Sequence, residues 1–455
     1  MYIPKYDQGF KPAIIALREF EKKVKESNEV TELVICLERT KAYNYIYKMN
    51  IFKDGTGHDE ENFDFVERIV KSLLWIVGGY KIYIAGSKYL ATKLKEAYSD
   101  EGIRAFDYNF MSKVYENKVQ IIECEYNEVP ELKEEILKME NNLGGCRIGF
   151  DAGGSDRKVS ALIDGEVVFS DEVVWFPKIN SDPQYHYDGI LDSIKTAASY
   201  LPRVDSIGVS TAGICIDNKM MVASLFIKVP EEDFNKKVKT IYIDIAKEYG
   251  DVPLVVANDG DVTALAGAMD LNQDRVLGIA MGTSEAAGYI GLHNSLMGWL
   301  NELAFVPVDF NKDAMVDEWS GDYGCGVKYF SQDGVIKLAK NAGIELDESL
   351  SPAEKLKVVQ GLMKEDDPRA KEIYETIGVY LGYTLPYYAE FYDIKYLLLL
   401  GRVTSGKGGD IVIAKAEEVL REVFPEFANI KITTPDEYMR RVGQSIAAAS
   451  LPATK

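Results

Sequence analysis

Hydrophobic and polar positions along the first 145 residues predict alternating helices and strands. Pro12–Ser27 reads as a charged helix, Leu33–Leu37 and Tyr43–Phe52 as strands, and Phe63–Val77 as a helix. Strand Lys81–Ala85, helix Lys88–Tyr98 and strand Val119–Glu123 follow. The order suggests an α/β or α+β domain of its own. Glu128–Asn142 is rich in charge, reads as a helix, and ends in Asn141-Asn142-Leu143-Gly144-Gly145. A Gly pair after a charged helix makes a C-cap and a hinge, so the chain is expected to divide near residue 145. Beyond it, apolar strand-like runs end repeatedly in small or acidic residues: Arg147–Asp151, Val204–Thr211, Pro253–Asn258, Val276–Met281 and Tyr396–Leu400.

A length of 455 residues suggests two or three domains, and 47% hydrophobic with 27% charged residues is the balance of a folded soluble protein. The 52 Lys and Arg against 72 Asp and Glu give a net charge of −20. That sign disfavours a whole-surface nucleic-acid binder and an anionic membrane surface. The most apolar run, Leu73–Gly86, is cut by Gly78, Gly79 and Lys81, well short of the about 18 apolar residues of a spanning helix. Met1–Phe10 carries Lys5 and Asp7 with no apolar core after them, unlike a secretory signal. The cysteines (36, 124, 146, 215 and 325) are odd in number and widely spaced, as in reduced core thiols, and only three histidines occur. A cytoplasmic protein is expected, with neither nucleic acid nor membrane as partner. Residues 1–145 carry 21 basic against 25 acidic side chains and no compact basic helix–turn–helix. This favours a packing or partner-binding domain over a DNA-binding one.

Five segments carry candidate chemistry. Asp151-Ala-Gly153-Gly154-Ser155 closes an apolar strand and is followed by a second strand. Its glycines let backbone amides approach phosphate oxygens, and Asp151 can hold a hydrated Mg²⁺. A ligand-free hairpin turn has the same form. Val204–Ile214 is a buried strand ending in small residues, which close packing alone explains. Pro253–Ala257 delivers Asn258-Asp259 to a strand's C-terminal end before a small-residue helix, a favoured edge for catalytic groups and equally a routine N-cap. Val276–Gly282 with Thr283 and Ser284 repeats the strand–turn–strand plan of Asp151 about 130 residues on. Two such halves suggest a duplicated fold clasping one nucleotide. Tyr396–Gly401 opens into the Gly-flanked loop ending at Gly406, which could lie along an adenosine.

As a set, these segments resemble the actin-like superfamily of sugar kinases, heat-shock ATPases and actin. Within it the resemblance is to the ROK family of repressors and sugar kinases, over residues 146–455. Asp151–Ser155 is similar to the family's Asp-x-Gly-Gly-Thr turn, and Asn258-Asp259 to its Asn-Asp, whose Asp is the catalytic base. Gly298-Trp-Leu-Asn-Glu302-Leu-Ala-Phe305 resembles Gly-x-x-Gly-Glu-x-Gly-His. Leu381-Gly382, Leu400-Gly401 and Val442–Ala449 are similar to the helix, adenosine loop and final helix. The resemblance implies an α/β, duplicated actin-like (ribonuclease H-like) two-lobe fold behind an added α/β domain. The first lobe would be 146–265 with 440–455, and the second 266–439.

The same resemblance implies ATP and Mg²⁺ as cofactors, a sugar or polyol substrate and a homodimer. Asp259 would be the base, Asn258, Glu302 and Ser224 would bind substrate, and Asp151 would hold Mg²⁺ through water. Gly153, Gly154, Ser155, Gly282, Thr283, Ser284 and Gly401 would line the nucleotide. Several positions depart from the family. Its zinc uses the His and three Cys of Cys-x-Cys-Gly-x-x-Gly-Cys, but Phe305 and Glu318-Trp-Ser320-Gly321-Asp-Tyr-Gly324-Cys325 stand here. One thiolate cannot hold a tetrahedral zinc, so no structural zinc is expected. A family Glu is replaced by Val327, a family Asn by Ser224, and the phosphate turn Gly-Thr-Gly-x-Gly-Gly-Gly reads Gly282-Thr-Ser284-Glu-Ala-Ala287-Gly288. These changes keep open a non-catalytic sugar- or nucleotide-sensing protein and a phosphotransferase with another acceptor.

Other features have ordinary readings. The Tyr374–Tyr392 tyrosines form a packed or dimer-facing surface, and Gln184-Tyr-His186-Tyr-Asp188 a loop tip before helix Ile190–Tyr200. Lys407 lacks phosphate-loop spacing, and Glu365-Asp366-Asp367 is a solvated loop.

Overall fold

A computed structural model describes residues 2–134, 136–138, 143–435 and 437–453. The chain begins with α1 (Ala13–Ser27), β1 (Val30–Glu38), β2 (Asn44–Phe52), α2 (Asp59–Ile76), β3 (Lys81–Ala85), α3 (Lys88–Ala97), α4 (Ala105–Tyr115) and β4 (Gln120–Glu123). Next come β5 (Leu137–Lys138), β6 (Cys146–Ala152), β7 (Asp156–Ile163), β8 (Glu166–Val174), α5 (Pro183–Ala198), β9 (Ser206–Thr211), β10 (Ile214–Ile216) and β11 (Lys219–Val222). The single turn α6 (Glu231–Asp233), α7 (Ile241–Lys247), β12 (Leu254–Asn258), α8 (Asp259–Leu271), β13 (Val276–Met281), β14 (Glu285–Ile290) and β15 (Ser295–Leu296) follow. The last elements are α9 (Gln332–Asn341), α10 (Pro352–Lys364), α11 (Pro368–Tyr388), β16 (Tyr396–Leu400), α12 (Lys407–Val423), β17 (Lys431–Thr433) and α13 (Glu437–Ser450).

Contacts divide the chain into two compact units. One holds Met1–Glu135, Ile279–Ala287 and Gly298–Thr433; the other holds Ile136–Gly278, Gly288–Met297 and Thr434–Lys455. In the second, five strands lie in the order β12-β9-β6-β7-β8. β6, β7 and β8 form an antiparallel meander, while β9 and β12 run parallel to β6. Helix α13 lies against this sheet because two glycines remove its relief. Gly149 and Gly208 are register partners on β6 and β9. A β-carbon on either would stand 1.7 Å from a backbone oxygen of α13, Ser445 or Ala448 respectively. Buried Arg147 seals the helix end by donating to the Ala449 and Pro452 carbonyls at 3.2 and 2.8 Å.

The sheet β14-β13-β16-β17 repeats that strand order without its outer strand, which is the duplicated α/β plan expected. In the first unit, Met1–Glu135 shares its core with the later segments. The sheet β2-β1-β3-β4 carries α1, which packs on α11. The α11 tyrosines are packed: Tyr380 donates to Asp7 Oδ2 at 2.5 Å, Tyr383 accepts the Tyr2 N–H at 2.9 Å, and Tyr387 meets Ser72 Oγ at 2.7 Å.

Two sequence expectations need correction. The helix expected over Glu128–Asn142 does not form where it is described; residues 135 and 139–142 lie outside the described residues. Pro130 interrupts it, and Asn44 binds the extended backbone through Nδ2 to the Glu131 carbonyl (2.8 Å) and Oδ1 from the Lys133 N–H (3.2 Å). Leu137–Lys138 then pairs with β15 as a strand. Helix α4 was not anticipated. Gln184–Asp188 is not a loop tip but the start of α5, with Asp182 capping the Gln184 N–H at 2.8 Å.

Candidate functional site

Register gathers the acidic candidates at one sheet edge of the second unit. Asp151 on β6 is opposite Ser210 on β9, and Asn258 on β12 is opposite Thr211, so three parallel strands end side by side. This is the carboxyl edge at which α/β sheets present chemistry. Asp151 is 4% exposed and accepts the Ser210 hydroxyl through Oδ1 at 2.6 Å. Burial raises its carboxyl from the ordinary 3.8 to about 6, and the negative charge of Asp259 adds to the shift.

Asp259 begins α8. The Gly260 N–H is shared between Asn258 Oδ1 (2.7 Å) and Asp259 Oδ1 (2.9 Å). Burial raises the Asp259 pKa, while that N–H and the charge of Lys178 draw it back. Asn258 caps α8 and also donates Nδ2 to the Gly213 carbonyl at 2.9 Å, so its side chain is engaged at both ends. Ser224 is exposed at the start of the turn Ser224–Phe226. The Gly153–Ser155 turn is held from below: Trp175 donates Nε1–H to the Gly153 carbonyl at 2.8 Å and its own N–H to the Ser155 carbonyl at 3.1 Å. Gly154 and Ser155 remain exposed.

The first unit carries the second set. The turn between β13 and β14 closes on itself, the Gly282 N–H donating to the Ser284 carbonyl at 3.0 Å. Thr283 and Ser284 are exposed at its tip. Gly401 has φ +94, and a β-carbon there would stand 2.3 Å from the Met281 carbonyl oxygen, so glycine lets the chain leaving β16 pass close to the end of β13. Glu302 lies in a loop built on α2: its N–H donates to the Trp75 carbonyl at 3.0 Å, and the Asn301 N–H to the Ile76 carbonyl at 2.9 Å. Sequence reasoning missed Glu285. It is 4% exposed, neither carboxyl oxygen has a hydrogen-bond partner among the described residues, and burial followed by the charge of Glu302 pushes its pKa well up. Its place two residues after the Thr283 turn gives no sign of that burial.

The positions that the resemblance matches to the family's zinc ligands do not fit a zinc ion, as their sequence led one to expect. Lys71 Nζ lies 3.7 Å from Cys325 Sγ and 2.6 Å from Asp322 Oδ2. Arg68 makes two bonds to the same carboxylate at 2.8 and 2.7 Å, and Arg104 lies 2.9 Å from it. These cations hold Asp322 well below the usual carboxylate range, while burial raises the Cys325 thiol. Ser320 donates to Asp317 at 2.6 Å, Glu318 pairs with Lys328, and Phe305 stacks on Trp75 with ring centroids 4.2 Å apart. A protonated thiol beside an ammonium offers no ligand set. Arg68 and Lys71 lie within the expected helix Phe63–Val77, where sequence alone does not show their burial, and Arg104 lies just before α4.

No protein-family model and no curated protein sequence matches the chain. Solved structures do. The ROK hexokinase from Thermus thermophilus is 15% identical and matches 68% of this chain and 98% of its own, with a TM-score of 0.53. A ROK family transcriptional regulator, a homologue of the E. coli MLC protein, is 18% identical over 68% of this chain and 79% of its own, with a TM-score of 0.51. The chain has a ROK-like fold over about two-thirds of its length. Among the described residues no helix is long and apolar enough to cross a membrane.

Proposed function

We propose that this chain is an ATP-dependent phosphotransferase acting on a hydroxyl of a sugar or sugar-like polyol. The observation that carries the reading is the placement of Asp151 and Asp259 at one edge by the β6–β9–β12 register. Fold leaves the choice open, since a hexokinase and a transcriptional regulator share it. In the proposed reaction Asp259 accepts the proton of the acceptor hydroxyl. That oxygen bonds to the γ-phosphorus as the β,γ-bridging P–O bond breaks, and ADP leaves. Asp151, a buried carboxyl steadied by Ser210, suits a Mg²⁺ held through water, and the ion would neutralise phosphate charge. Asn258, Glu302 and Ser224 are assigned to the acceptor. Gly153, Gly154, Ser155, Gly282, Thr283, Ser284 and Gly401 are assigned to the nucleotide. A cytoplasmic homodimer completes the reading.

One feature favours the alternative of a non-catalytic sugar or nucleotide sensor: the Gly282 N–H is already bonded within its turn. Calorimetric titration with ATP·Mg²⁺, with and without hexoses, hexosamines and polyols, separates the two when ADP release is followed beside Asp259→Ala. Sugar-dependent ADP release lost in the variant supports the phosphotransferase. Sugar binding without nucleotide binding supports the sensor.

A further inference from the structure

We propose that Lys178 contacts the terminal phosphate of the bound nucleotide, an assignment that rests on the phosphotransferase reading. Lys178 follows the edge strand β8, in the turn Pro177–Ile179. Aromatic side chains fix that turn. Trp175, 1% exposed, ties it to the Gly153 and Ser155 carbonyls. Tyr185 Oη accepts the Phe176 N–H at 2.9 Å, and fully buried His186 places Nε2 3.0 Å from the Pro177 carbonyl oxygen. The turn is thereby joined to the glycine turn after β6, while Lys178 itself is exposed.

Its amine lies directly over Gly154, where a β-carbon would stand 3.3 Å from Nζ. The glycine keeps that approach open. The other cations flanking the turn are engaged: Arg157 bonds Ser193 at 2.7 Å and Asp192 at 3.4 Å, and Lys158 lies 3.5 Å from Asp156. Lys178 makes no hydrogen bond or ion pair among the described residues, yet its charge reaches Asp259. A polyphosphate arriving beside the Asp151 and Asp259 carboxylates adds negative charge to an acidic edge. An exposed ammonium over the glycine turn, close enough for its charge to act on Asp259, offsets it where charge spreads over the transferring phosphoryl oxygens.

The test is calorimetric binding of ATP·Mg²⁺ and ADP·Mg²⁺ to the full chain, its Lys178→Met variant and its Lys178→Arg variant. Lys178→Met is expected to weaken ATP about tenfold or more, the scale of a charge-assisted hydrogen bond, and ADP less than twofold. Lys178→Arg should recover most of the loss. Equal weakening of both nucleotides, or of neither, overturns the assignment while leaving the phosphotransferase reading intact. Wild-type protein that binds neither nucleotide overturns both, and this is seen before any variant is compared.

Discussion

Replacing Asp151 with Asn should stabilise the protein at neutral pH while removing the proposed metal contact. The carboxyl is buried, and burial lifts it from 3.8 to about 6. A carboxyl harder to ionise in the fold than in the unfolded chain contributes stability that is fully present below pH 3.8 and lost as pH rises through about 6. The loss is about 3 kcal/mol. Asn carries no charge, and its Oδ1 can still accept the Ser210 hydroxyl that lies 2.6 Å from the native oxygen. The variant should therefore exceed wild type by up to about 3 kcal/mol at pH 8, with the gap closing towards pH 4. Urea and thermal unfolding of both proteins across that range, with a chelator present to exclude divalent cations, measure the gap. A variant less stable than wild type at pH 8, or a difference that ignores pH, would refute the reasoning.

Three further outcomes are expected. Asp322→Ala leaves Arg68, Lys71 and Arg104 without their shared carboxylate and should cost about 3–5 kcal/mol in urea unfolding. Because the Asp322 pKa is depressed, its contribution is present above pH 3.8 and declines as pH falls below it, so the wild-type excess should shrink in acid. Chelation should leave the wild-type melting temperature unchanged without nucleotide, since an ammonium rather than a zinc ion faces Cys325. Gly208→Ala should lower the melting temperature sharply, its β-carbon meeting the Ala448 carbonyl oxygen of α13 at 1.7 Å.

Strand-ending motifs were legible because they are local. An apolar run that stops at Asp151 or at Asn258-Asp259 announces a sheet edge, and the register of β6, β9 and β12 follows from the fold those runs imply. What sequence hid were relations across distance. Lys178 lies in a Trp-Phe-Pro-Lys stretch with no spacing signal, and the contacts of Trp175, Tyr185 and His186 bring it over Gly154. His186 reads as a loop residue until the Asp182 cap starts α5 before it. The charge run after Glu128 looks helical because local composition does not include Asn44, whose side chain binds the backbone at Glu131 and Lys133. Arg68 and Lys71 fit the polar face of an amphipathic helix equally well whether water or Asp322 lies opposite.

Helix α2 joins two loops of the later segment. Lys71 and Trp75 are four residues apart and share one helix face. Lys71 meets Asp322 and Cys325, the last residue of the altered zinc segment; Trp75 stacks on Phe305, which stands at the position of the family histidine. The carbonyls of Trp75 and Ile76 accept the Glu302 and Asn301 N–H groups one turn further on. A single helix of the front segment thus ties together the loop around Phe305 and the loop around Asp322 and Cys325, and the first of these carries the proposed substrate residue Glu302. Buried ion pairs demand that all partners stay in place, because removing one strands the others in a low-dielectric core. Residues 1–135 are therefore bound into the first unit by charge as well as by packing: the carboxylate they surround, Asp322, belongs to the later segment, and without α2 that carboxylate would be left without Arg68 and Lys71.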